Sequence, residues 1–121
     1  MKHRSVTIGL VQMSCTNDTQ ENLTKALDGI ANAKKKGAHI VVLPELFTSL
    51  YFCQKKYDPS AFESAEEAKG ITTQTLSEAA ASNKVTLVGG SFFERGIDGN
   101  YYNTSHVFGP DGAILGTYRK M

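Results

Sequence analysis

Cysteine is scarce in this sequence: Cys15 and Cys53 are the only two. That number is too small for a disulfide framework, and a reduced, cytoplasmic setting is expected. Charge of one sign is missing as well. Thirteen basic residues against twelve acidic ones leave a formal net charge of +1, which gives no electrostatic footprint for nucleic acid or an anionic membrane surface. No apolar run approaches the length of a membrane helix. Lys2-His3-Arg4 ahead of residues 6–13 imitates a signal peptide only faintly, because Thr7, Gly9 and Gln12 interrupt the apolar segment. His3, His39 and His106 stand far apart, with no cysteine or carboxylate at metal-ligand spacing, so no metal site is expected. Gly-x-Gly-x-x-Gly, P-loop and Gly-x-Ser-x-Gly patterns are absent, and Gly89-Gly90 alone is weak evidence for phosphate binding.

What is present suits one packed domain: 121 residues, 40% of them hydrophobic and 21% charged. Residues 6–13 are β-prone. Asp18 with Glu21 three positions later makes a capping-box-like helix start. Leu23, Leu27 and Ile30 then recur at helical spacing, with Ala26 and Ala31 expected on the same side. Lys34 to Lys36 fall in the last turn, where cations complement the helix dipole, and Gly37 supplies a left-handed stop. The lysine run is therefore a helix terminus. Residues 38–43 form the next strand, and a helical crossover between the two predicts parallel, right-handed pairing. Residues 47–60 read as a long aromatic loop, and 64–69 as one or two helical turns. Residues 72–84 are predicted helical and 85–93 a single strand. Turns at Asp98-Gly99-Asn100 and Gly109-Pro110-Asp111-Gly112 separate strands over 101–108 and 113–118. The fold class expected is α/β, a mixed sheet with helices stacked on one face.

Glu45 carries the most chemical promise. Ile40 to Leu43 lack alternation, as in a strand buried on both faces. Pro44 cannot donate to the ladder, so the strand should stop there and hold the carboxylate at the rim of the sheet. Ligands and reacting groups gather at such strand ends in α/β folds. A carboxylate kept partly dry there has a raised pKa and can act as a base near neutrality. The plainer reading is a solvated strand-end glutamate. His106, on a strand, is expected to be a partly satisfied sheet residue.

Five segments in order carry a family resemblance. Gly37-Ala38-His39-Ile40-Val41-Val42-Leu43-Pro44-Glu45-Leu46-Phe47 resembles the glutamate motif of the nitrilase, or carbon–nitrogen hydrolase, superfamily, and Tyr118-Arg119-Lys120 resembles its lysine motif. Gly89 to Glu94 and Tyr102-Asn103-Thr104-Ser105 sit where that family places its next strands, and Ile8 to Met13 fits its opening strand. Each motif is short, but the colinear order covers nearly the whole chain. Leu46-Phe47 followed by Tyr51-Phe52-Cys53-Gln54 is most similar to the N-carbamoylputrescine amidases.

The resemblance implies the N-terminal half of an α-β-β-α sandwich, with Glu45 as general base and Lys120 as the cation that stabilises a tetrahedral intermediate. The two are expected on adjacent strands, their charged ends in one cleft. It further implies a cofactor-free enzyme that cleaves a carbamoyl C–N bond of a small carbamoyl-amine through a thioester, in polyamine biosynthesis. A cytoplasmic homo-oligomer is expected, with no nucleic-acid or membrane partner. Tyr51, Phe52 and Cys53 are candidate substrate-binding residues, with loop anchoring as the plainer alternative. The family's nucleophilic cysteine and a supporting glutamate lie downstream of the lysine motif, and neither Cys15 nor Cys53 matches the nucleophile's motif. The single domain over residues 1–121 is therefore read as partial, truncated after the lysine motif, and inactive alone. Competing expectations are another amidase of the family, such as a β-ureidopropionase or ω-amidase, and a non-catalytic α/β interaction module.

Overall fold

The computed structural model describes residues 2–54 and 59–121. A short first strand, Ile8–Leu10 (β1), leads into the helix Thr19–Lys35 (α1). Asp18 caps that helix in extended conformation, its carboxylate accepting from the Glu21 N–H at 3.1 Å. Only half of the expected box forms, because the Asp18 N–H donates to the Thr16 hydroxyl instead. Leu23, Ala26 and Ile30 are buried and Leu27 is half-buried, whereas Ala31 is exposed. Eight residues at 100° each carry Ala31 about 80° away from Leu23, off the buried stripe. Gly37 ends the helix turn at φ +93°.

Strand Ile40–Val42 (β2) pairs parallel with β1, and Thr86–Val88 (β3) pairs parallel with β2. Between them come a 3-10 turn over Phe52–Gln54, the short helix Pro59–Glu63 (α2) and the helix Ile71–Asn83 (α3). The helical turn expected within 64–69 is thus displaced to Pro59, a residue preset for the first helical position. Residues 64–69 instead run past the sheet, with Glu66 bridged to Glu94 and its carboxylate accepting from the backbone N–H and hydroxyl of Thr72 at the start of α3.

The single strand expected over 85–93 is two strands, β3 and Phe92–Arg95 (β4). Gly89, Gly90 and Ser91 break it, with Gly90 at φ +61°. Strand Tyr101–Phe108 (β5) runs antiparallel to both, taking β4 along its first half and β3 along its second on the same edge. Strand Ile114–Arg119 (β6) covers the other edge of β5. The result is a six-stranded mixed sheet.

Both long helices pack on one face. Leu23, Ala26 and Ile30 from α1 and Leu76, Ala79 and Ala80 from α3 meet Val41, Leu87 and Phe108 of the sheet. Strand alternation therefore puts Ile8, Leu10, Val42, Val88, Asn103, Ser105 and Tyr118 on the opposite face. That face is open: Leu10 is 76% exposed and Tyr118 64%. Among the described residues no helix is long and apolar enough to cross a membrane.

Candidate active site

The site forms where the chain leaves β2. Leu43 still donates to the Val88 carbonyl at 3.0 Å, and Pro44 then turns the chain away. Leu46 takes φ +49°, a left-handed conformation that costs a branched residue about 1–2 kcal/mol. Burial of Leu46 and Phe47 and a 2.9 Å hydrogen bond from the Leu46 N–H to the Ser91 hydroxyl oppose that cost. Gly90 is required beside this turn: a Cβ there would stand 2.2 Å from the Pro44 carbonyl oxygen. The glycine pair thus permits the close backbone approach that its occurrence in a strand suggests.

Lys120 arrives from the other side. Its N–H donates to the Asn103 carbonyl at 2.9 Å, carrying the β5–β6 ladder one residue past Arg119. The opposing alternation places its side chain on the open face. Lys120 Nζ then donates to Glu45 Oε1 at 3.0 Å, across 75 positions of sequence. The expected adjacency of their strands is not found, since β3 and β5 lie between β2 and β6. The charges meet because the Glu45 turn lies over the gap between β3 and β4 and reaches β5 directly.

Asn103 completes the contact: its Nδ2 donates to the same Glu45 Oε1 at 2.8 Å. Its own Oδ1 is buried without a hydrogen-bond partner among the described residues. A buried acceptor left unmatched costs about 1–3 kcal/mol, and a hydrogen bond to a charged group returns a similar amount. The amide is thus oriented by the carboxylate. Sequence reasoning placed the Tyr102 to Ser105 segment but gave Asn103 no role. The available signal was an asparagine, a residue depleted in strands, inside a β-prone run.

The electrostatics differ from the sequence-based expectation of a raised Glu45 pKa. Donation from Lys120, then from Asn103, lowers it, and the small burial of the carboxylate opposes without prevailing. Glu45 in turn raises the pKa of Lys120. Both side chains are well exposed, at 45% and 61%, and an ion pair so wet contributes little stability. Its geometry is a feature of the site more than of the fold.

Behind the pair, on the helix side of the sheet, Glu94 is 1% exposed. It accepts from Arg119 Nη2 at 2.6 Å, Arg119 Nε at 3.0 Å and Thr104 Oγ1 at 2.6 Å. The Arg119 guanidinium also lies 4.2 Å from the centre of the Tyr102 ring. This bidentate clamp holds the end of β6, one residue before Lys120, and gives Glu94 a structural role. His106 is fully engaged, with ring nitrogens 2.8 Å from Thr117 Oγ1 and 3.0 Å from the Ala68 carbonyl.

Two hollows open on Glu45. One, of about 800 Å³, is lined by Cys15, Asn17, Leu50, Tyr51, Phe52 and Ser64 among others. The second, of about 410 Å³ on the open sheet face, includes Val88, Ser91, Asn103, Ser105, Tyr118 and Lys120. Tyr51 is close to Glu45 and Lys120, and its hydroxyl pKa is raised first by the Cys53 thiol and next by Glu45. Phe52 lines the larger hollow and packs on Phe93, ring centres 4.9 Å apart, a contact that fits the loop-anchoring alternative. Cys53 is exposed beside Tyr51. Cys15 is half-buried, and desolvation raises its thiol pKa against a smaller lowering by Lys25, the reverse of what activates a nucleophile. Among the described residues no group of three or more His, Cys, Asp or Glu side chains could hold a metal ion.

A carboxylate, an ammonium and an amide thus converge at one end of the mixed sheet of an α/β fold. The chain belongs to the carbon–nitrogen hydrolase family, whose sequence profile matches residues 7–121. The human omega-amidase NIT2 is 43% identical over 117 residues, 97% of this chain and 40% of that protein. A carbon–nitrogen hydrolase from Helicobacter pylori G27 superposes with a TM-score of 0.86 at 31% identity, covering 96% of this chain and 39% of its own. An amidase from Nesterenkonia sp. AN1, bearing acrylamide added at its active site cysteine, gives 0.75 at 25% identity over 97% and 44% of the two chains. This chain spans 40% of the human relative's length. The omega-amidase relatives support the wider family expectation and do not extend to the narrower N-carbamoylputrescine one.

Proposed function

We propose that this chain supplies the general base and the oxyanion-stabilising cation of a thiol-dependent amidase acting on a terminal, or ω, amide of a small aliphatic substrate. The observation that carries the reading is the Glu45–Lys120 contact at 3.0 Å, formed on the open end of the sheet by residues far apart in sequence. The omega-amidase relatives favour an ω-amide over the carbamoyl-amine expected from the loop residues.

An amide carbon is a poor electrophile, so a thiolate is a useful attacker and a nearby carboxylate can take its proton. Glu45 fills that role, held ionised at neutral pH by its two donors. Lys120 then faces the negative charge that develops on the carbonyl oxygen. As Lys120 turns toward that oxygen it loosens its hold on Glu45, whose basicity rises when the proton must move. The protonated Glu45 returns the proton to the leaving nitrogen, ammonia departs, and a thioester remains. Water activated by Glu45 hydrolyses the thioester to a carboxylic acid and restores the thiol.

The thiol is assigned to neither Cys15, whose pKa burial raises, nor Cys53, which makes no hydrogen bond to Glu45 among the described residues. In this proposal further residues, in a polypeptide of the relatives' length, bring it against the open sheet face. Tyr51 and Phe52 shape the substrate's chain, and Cys53 is a neighbour of that pocket. A homo-oligomer in the cytoplasm is part of the same proposal. The test is ammonia release by the polypeptide of the relatives' length from matched four- and five-carbon ω-amides and from N-carbamoylputrescine. Higher kcat/KM on an ω-amide is expected; preference for the ureido compound would restore the carbamoyl reading.

A further inference from the structure

We infer that Asn103 is a positioning residue that decides which oxygen of Glu45 acts as the base. Resting on the general-base reading of Glu45, the inference adds a residue to that site. Both donors to the carboxylate converge on one atom: Asn103 Nδ2 at 2.8 Å and Lys120 Nζ at 3.0 Å from Oε1. Among the described residues no donor reaches Oε2, which leaves it as the oxygen available to a thiol or a water.

A carboxylate held only by Lys120 could rotate or exchange its oxygens, since an ammonium on a flexible stem is a point charge with rotatable donors. Asn103 removes that freedom. Its backbone is fixed in β5 between β4 and β6, paired with Phe93 on one side and accepting from the Lys120 N–H on the other. Its carbonyl holds the Lys120 backbone and its side-chain amide holds the Glu45 carboxylate, so one residue anchors both members of the pair. The buried, unpartnered Oδ1 fits this reading. Among the described residues the amide's side-chain hydrogen bond is the one to Glu45, so its orientation serves the carboxylate.

The test uses the polypeptide of the relatives' length with Asn103→Leu, Asn103→Asp and Glu45→Gln, each checked for folding by circular dichroism. For Asn103→Leu, kcat is expected to fall about ten- to a hundredfold, the size of losing one hydrogen bond to a charged group. KM should stay within about threefold, because Asn103 acts through Glu45. The acid limb of kcat/KM should move to higher pH as one of the two donors that depress the Glu45 pKa is lost. Asn103→Asp preserves shape and guards against a packing artefact. Two facing carboxylates share a proton, so its activity should decline at alkaline pH, where the second proton leaves and repulsion replaces donation.

If Glu45→Gln is inactive while both Asn103 variants keep the wild-type kcat and acid limb, the positioning role is overturned and the base reading stands. If Glu45→Gln retains activity, the base reading fails and this inference fails with it.

Discussion

Glu45 and Lys120 each favour the other's ionised form. Donation from Lys120 is the largest cause of the lowered Glu45 pKa, with donation from Asn103 next. A base works only when unprotonated, so activity should be full above that pKa and decline as pH falls through it. The wild-type acid limb should therefore lie below 4.5, the ordinary glutamate value. Lys120→Met removes the leading cause and should shift this limb upward further than Asn103→Leu does. It should also reduce kcat by about 10²–10³-fold, the typical effect of losing one oxyanion donor. A pH–rate profile of the two variants checks the order of the shifts. An acid limb unmoved by Lys120→Met would show that the contact at 3.0 Å does not control the base.

At the level of elements, the end of β6 is held from behind by the buried Glu94 and the bidentate Arg119. The Arg119 side chain is 44% exposed while that of Glu94 is 1% exposed, so the two partners are not equivalent. Arg119→Met strands a buried carboxylate and should cost about 3–5 kcal/mol. Glu94→Gln leaves a guanidinium that can turn to water and should cost less, about 1–3 kcal/mol. Urea unfolding at neutral pH measures both, and equal losses would contradict the asymmetry. Hydrogen bonding to Arg119 lowers the Glu94 pKa. Its contribution is therefore present above the unfolded carboxylate value and is lost as pH falls through the folded one.

Much of this element layer was legible in the sequence. Asp18, Gly37 and the apolar spacing of Leu23 and Ile30 mark α1, and the two glycine-rich turns bound β5 within its observed limits. The break between β3 and β4 was not legible, because Val85 to Phe93 is β-prone throughout and only a tertiary contact, Gly90 against Pro44, requires the interruption. The start of α2 at Pro59 was obscured by the aromatic loop around it. The site was legible only in part. Strand-end logic singles out Glu45, but pairing it with Lys120 came from resemblance. No local pattern reveals that a turn after β2 reaches β5 over the gap between β3 and β4.

On the scale of the whole molecule, the two faces of the sheet differ. One carries α1, α3 and the core, and the other leaves Ile8, Leu10 and Tyr118 exposed at 57%, 76% and 64%. The catalytic candidates stand at the end of this open face, where a second layer packs in an α-β-β-α sandwich. An apolar face of this kind is costly in water, and the proposal assigns it to the residues that bring the thiol. The division of labour makes Glu45 the most exacting point of the account. The decisive measurement is ammonia release from an ω-amide by the polypeptide of the relatives' length, comparing wild type with Glu45→Gln at matched folding. General-base removal predicts a loss of about 10²–10⁴-fold in kcat/KM. Turnover within about twofold of wild type, on the same general-base scale, would contradict it.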